Sequence, residues 1–121
     1  MFLATVNKPK RLLHLSFIQH VQAEDLKRGR EDVAALLADL PAGFRLLTDL
    51  ERLESMDAAC AKEVGRLMEL CAQKGVGIVV RVIPDPQKDI DFNILAIFHY
   101  AHRQQAVTCA NMEEAGKVLS L

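Results

Sequence analysis

Strand-like and helix-like apolar patterns alternate along this chain after an opening pair of strands, and this alternation constrains the fold more than any other feature. Phe2–Val6 and Leu12–Phe17 read as strands joined by the turn-forming cluster Asn7-Lys8-Pro9-Lys10. In the second strand Leu13, Leu15 and Phe17 share one face while His14 and Ser16 fall on the other, as a half-buried strand requires. Ala23–Leu40 carries Leu26, Val33, Leu37 and Leu40 close to one helical stripe, and Pro41-Ala42-Gly43 stops it. Phe44–Leu50 is a third strand, and Asp57–Lys74 a second helix closed by Gly75. Val76–Ile83 is nearly continuous in aliphatic residues, the pattern of a strand covered on both faces. A helix over Asp91–His102, a short strand over Gln105–Cys109 and a terminal helix follow. Asn111 with Glu114 three residues on predicts a capping box for that last helix, with Ala115, Val118 and Leu119 facing inward. The order predicts one α/β domain over residues 1–121, with a mixed, mostly parallel sheet, an N-terminal hairpin and about four helices.

Composition narrows the function classes. The 121 residues are half apolar, enough for a buried core, and the net charge of −1 supplies no global field to hold nucleic acid. Lys8, Lys10 and Arg11 form the one basic concentration and sit in a turn, where solvation accounts for them. Cys60, Cys71 and Cys109 make no metal-finger spacing, and their odd number without a leader fits reduced thiols in a cytoplasmic protein. No apolar run reaches the ~20 residues that a membrane-spanning helix needs.

The stretch from Leu47 to Cys60 is the most informative local segment: an apolar strand, a short turn, then Asp57 opening an amphipathic helix. A helix start gathers unpaired N–H groups and the positive end of the dipole, so it suits a capping carboxylate or a bound phosphate. Here an aspartate stands before two alanines, and Asp57 reads as an N-cap. Cys60, Val64, Leu67 and Cys71 recur on one face of the helix, so the two thiols read as small core hydrophobes.

The remaining polar clusters carry little chemistry. His99 and His102 sit three apart near Asp89 and Asp91, but no further ligand has a spacing that completes a metal site, and no cofactor is expected. No serine or cysteine lies in a nucleophile context with an assigned base, so no catalytic residue is expected. Gly75-Val76-Gly77 precedes a strand instead of following one and makes no dinucleotide loop. Ile94, Leu95, Ile97, Phe98 and Tyr100 cover more of their helix than one core contact needs, which marks Ile94, Ile97, Phe98 and Tyr100 as candidates for an interface or for lining an apolar ligand.

In this order the residues resemble the STAS domain, the fold of bacterial anti-sigma-factor antagonists. A hairpin precedes the first helix, Asp49-Leu50-Glu51-Arg52-Leu53 leads into Met56-Asp57 and the second helix, and Gly75 introduces the buried strand. In that family the turn reads close to Asp-Ser-Ser-Gly, and a hydroxyl there accepts phosphate from a partner kinase, which switches the protein bound. Asp57-Ala58-Ala59-Cys60 keeps the aspartate and lacks both hydroxyls and the glycine, and Gln19-His20-Val21-Gln22 replaces the acidic motif after the second strand. The resemblance implies a non-catalytic regulatory module that docks a protein partner, or a second copy of itself as a homodimer, through Ser55, Met56, Asp57, Ala58, Ala59 and Cys60 without a phospho-switch. The alternative is a small apolar-ligand or lipid-binding module of the same fold.

Overall fold

A computed structural model describes residues 1–83, 89–90, 94, 96–97 and 106–120. Its main sheet has five strands in the order β1 (Phe2–Asn7), β2 (Leu12–Phe17), β4 (Arg45–Asp49), β6 (Val79–Val82) and β8 (Ala106–Cys109). β1 runs antiparallel to β2, and β2, β4, β6 and β8 are mutually parallel. The mostly parallel sheet with an antiparallel hairpin edge is the architecture that the sequence pattern predicts.

Side-chain alternation splits the core between the two faces of this sheet. Leu13, Leu15, Phe17, Leu46 and Val79 pack on one face under α1 (Ala23–Leu37) and α2 (Cys60–Gln73). Helix α1 contributes Leu26, Val33 and Leu37, and α2 contributes Cys60, Val64, Leu67, Met68 and Cys71. The stripe of apolar residues and thiols foreseen on α2 is therefore core. On the other face Leu12, Leu47, Val80, Val82 and Cys109 meet Ala115 and Leu119 of the short helix α3 (Met112–Leu119). Val118, expected inward, is 42 % exposed. An eight-residue helix presents one narrow stripe, and Ala115 and Leu119, four apart, fill it.

The helix ends follow the local chemistry. Helix α2 closes in a Schellman motif: the Val76 N–H donates to the Cys71 carbonyl and the Gly75 N–H to the Ala72 carbonyl, with Gly75 at φ +88°. At α3 the Asn111 side chain accepts from the Glu114 N–H (2.9 Å), while the Glu114 carboxylate reaches back to the Ala110 N–H (2.9 Å), one residue earlier than a standard box. Helix α1 ends at Leu37, and residues 38–40 turn toward Pro41.

A second sheet went unforeseen. Residues Gln19–Val21 (β3), Leu53–Met56 (β5) and Asp89–Ile90 (β7) form a three-stranded parallel sheet in the order β3-β5-β7. β2 and β4 run out of the main sheet into β3 and β5 through kinks, the first at Gln19 with φ +56° and the second at the turn Leu50–Arg52. The Gln19 N–H donates to the Arg52 carbonyl across these kinks (2.9 Å). The small sheet thus caps the carboxyl ends of the main parallel strands. The helix expected over Asp91–His102 lies mostly outside the described residues; positions 94, 96 and 97 are helical.

Candidate functional site

The parallel strands of the small sheet end at Val21, Met56 and Ile90, and in open α/β sheets the carboxyl ends of parallel strands are where clefts form. A cleft of about 520 Å³ opens there. Val21, Met56 and Ile90 give it apolar lining, and His20, Gln22, Ser55, Asp57 and Ala58 complete it. Both long helices begin at this rim: Gln22 is the N-cap of α1, and Ala59 is the N-cap of α2.

The start of α2 differs from the expectation that Asp57 caps it. The helix begins at Cys60, and residues 57–59 form the turn before it. The Asp57 carboxylate accepts from the Ala59 N–H two residues on (3.1 Å), and the Asp57 carbonyl accepts from the Cys60 N–H (3.1 Å). An aspartate bonded to its own chain in this way stabilises a turn and delays the helix. It still satisfies one free N–H at the helix start, so the stabilising role survives two residues upstream.

Cys60 fastens this turn to β3. Its thiol donates to the Val21 carbonyl (3.3 Å) and lies 3.6 Å from the Asp57 carboxylate. Burial, followed by the charge of Asp57, pushes the thiol up to about 11. Its hydrogen bond to the Val21 carbonyl and its raised pKa both favour the neutral thiol, the opposite of what an activated cysteine needs. On the facing edge His20 Nδ1 and Ser55 Oγ share a hydrogen bond that ties β3 to β5. At α1 the Asp25 carboxylate accepts from the Gln22 N–H (3.0 Å). Each helix start at the rim thus already has a carboxylate against it.

The six residues foreseen as a docking surface divide by exposure. Asp57, Ala58 and Ala59 are exposed and Ser55 is half-buried, whereas Met56 and Cys60 are 1 % and 0 % exposed. Met56 and Cys60 support the surface from beneath and are not part of it. Met56 ends β5 packed in the main core, and Cys60 opens the buried stripe of α2. Of the four residues foreseen as interface or ligand-lining, Ile94 lies in the main core and Ile97 is half-buried against it; Phe98 and Tyr100 lie outside the described residues. His99, His102 and Asp91 also lie outside them. Among the described residues no group of three or more His, Cys, Asp or Glu side chains is placed to hold a metal ion. No helix among them is long and apolar enough to cross a membrane. His20 and Gln22 are site residues that the sequence marks only as part of the segment replacing the family's acidic motif; β3 is too short for an alternation to register, and Gln22 follows it as the N-cap of α1.

Comparison with solved structures places the fold. The anti-sigma factor antagonist SpoIIAA in its unphosphorylated form matches with a TM-score of 0.62 at 16 % identity, over 99 % of this chain and 98 % of that one. The Bacillus SpoIIAA in its phosphorylated form matches with a TM-score of 0.59 at 15 % identity, over 98 % and 99 %. A protein from Shewanella loihica with a SpoIIAA-like fold gives a TM-score of 0.66 at 12 % identity, over 98 % and 92 %. No protein-family model and no curated protein matches the chain in sequence. The chain has the SpoIIAA-like, STAS-type α/β fold.

Proposed function

We propose that this chain is a non-catalytic regulatory module that docks a protein partner through the exposed turn Asp57-Ala58-Ala59 and the rim of the adjacent cleft, with no phosphate switch at that turn. One observation carries the reading: the turn is exposed at the shared rim of two helix starts, and its two residues after the aspartate have no hydroxyl. SpoIIAA, whose fold this chain shares, has been solved with and without phosphate. Here the methyl groups of Ala58 and Ala59 accept none. Asp57 and Asp25 already occupy the positive ends of α2 and α1, and a phosphate dianion brought beside them would meet like charge. Ser55, the nearest hydroxyl, is engaged with His20.

A partner surface complementary to this rim carries a basic group for Asp57 and a small flat contact for the two alanines. The test compares the proteins retained by immobilised wild-type chain and by the Asp57→Lys variant, with circular dichroism confirming that the variant is folded. Partners held by the first and lost by the second are expected. A partner set unchanged by the substitution removes the docking surface, and stoichiometric phosphate on Ser55 after incubation with ATP and candidate kinases removes the absence of a switch. The cleft volume falls within the range of ordinary small-molecule sites, which favours a second reading as a binder of a small apolar ligand or lipid. Native mass spectrometry of freshly purified protein separates the two, since a co-purified small molecule belongs only to the second.

A further inference from the structure

We propose that the outer edge of β1 is a self-pairing surface, to which a second copy of this chain adds its own β1 in antiparallel orientation about a two-fold axis through Ala4. Strand β1 ends the order of the main sheet, and among the described residues no element pairs with its outer side.

The phase of the β1–β2 ladder fixes which backbone groups face outward. The Ile18 N–H donates to the Met1 carbonyl (2.8 Å), so Met1 and Ile18 are a hydrogen-bonded pair. Antiparallel pairs alternate, and the register continues without a shift through Asn7↔Leu12. Leu3, Thr5 and Asn7 therefore bond inward to Ser16, His14 and Leu12. Phe2, Ala4 and Val6 turn their N–H and C=O groups away from β2.

Those three residues are self-complementary. With Ala4 facing its own copy, Phe2 lies opposite Val6 of the second chain, and Val6 opposite Phe2. All three pairs are of the hydrogen-bonding kind, giving about six new bonds at two per pair. Shifting the register by one residue would bring inward-facing groups to the edge, so the dyad at Ala4 satisfies the ladder where a one-residue slip does not.

The side chains agree with this pairing. Phe2, Ala4 and Val6 are half-buried and pack against the main core, so Phe2 beside Val6 of the second copy extends that core across the axis. On the opposite face Leu3, which is 47 % exposed, comes to lie beside Thr5 of the second copy. The strand also lacks the features that usually protect an edge: Phe2–Asn7 contains no charge, no proline and no bulge. Beside it, the exposed flank of α1 presents both signs at Arg28 and Asp32, so two copies brought together meet no single-signed repulsion. The contact is isologous and closes at two copies.

The test is the mass of the chain by light scattering across a concentration series. The wild type is expected to approach twice its 13.5 kDa. Ala4→Pro removes the outward N–H at the dyad and leaves the bonds to β2 intact, as proline allows on an edge. Leu3→Lys alters an exposed side chain and sets two ammonium groups diagonally across the axis. Both variants are expected at the single-chain mass with unchanged circular dichroism and with the melting temperature that the wild type shows when diluted to single chains, while Asp57→Lys remains a dimer. In the wild type, the amides of Phe2, Ala4 and Val6 should exchange more slowly as concentration rises. A single-chain mass for the wild type at every concentration overturns the proposal, as does a dimer that survives either variant in folded form.

Discussion

Two kinds of titratable side chain show how individual residues tune this molecule. Cys60 and Cys71 are packed among aliphatic groups, and burial pushes their thiols up to about 11 and about 12. Cys109 is likewise raised, by burial and by the nearby charge of Glu114. Alkylation requires thiolate and access, and the fold withholds both. Iodoacetamide at mildly alkaline pH is therefore expected to leave the native chain unmodified over a period in which the urea-unfolded chain takes up label at all three cysteines. Labelling of native Cys60 at the unfolded rate would show that the turn before α2 opens freely. Asp49 behaves in the opposite sense. Burial pushes its carboxyl up, but the His14 imidazole 3.6 Å away, the hydrogen bond from the Glu51 N–H and the charge of Arg52 hold it below the ordinary 3.8. A carboxyl depressed in the folded state contributes stability above its unfolded value and loses it as pH falls through the folded one. Urea unfolding of wild type against Asp49→Asn should thus show a gap at neutral pH that closes as the acidity passes below 3.8. A gap independent of pH would assign the effect of the substitution to packing.

At the scale of elements, legibility follows the length over which a pattern repeats. The strand Leu12–Phe17 reads correctly because three inward residues alternate with two outward ones. Helix α1 shows Leu26, Val33 and Leu37 in step and α2 shows Cys60, Val64, Leu67 and Cys71, and Gly75 closes α2 as its φ of +88° demands. Strands β3 and β5 have no such repetition. They bury only Val21 in one case and Leu53 with Met56 in the other, and their identity depends on pairing with each other across more than thirty residues of chain. No local propensity records that contact. The candidate site inherits this division. A helix start near Asp57 is visible in the sequence because an acidic residue precedes a strong helical pattern, but the turn over Asp57-Ala58-Ala59 that delays the helix to Cys60 is not. The bond between His20 and Ser55, and the Cys60 thiol reaching the Val21 carbonyl, arise only when β3 and β5 lie side by side. The start of α2 was displaced for a related reason: an aspartate two residues before a free N–H forms a local turn as readily as a cap, and the sequence does not distinguish them.

For the molecule as a whole, the described residues cover the two faces of the main sheet unequally, and this sets an order of opening. The face under α1 and α2 holds the larger core, with Phe17, Phe44, Leu67 and Met68 fully buried in it. The other face has the smaller cluster around Leu12, Leu47, Val80 and Val82, closed by the eight residues of α3. A short helix docked through Ala115 and Leu119 loses few contacts when it lifts away, whereas α2 cannot leave without exposing the main core. Amide exchange under native conditions should therefore give α3 a lower opening free energy than α2. Leu119→Ala removes the larger of the two anchors, and a buried leucine truncated in this way costs about 2–5 kcal/mol where the surroundings cannot collapse. If that cost falls on undocking, exchange in α3 speeds by orders of magnitude while α2 amides keep their protection until global unfolding. Equal acceleration in both helices would mean that the two cores open as one unit, and that α3 is as integral to the sheet as the helices on its opposite face.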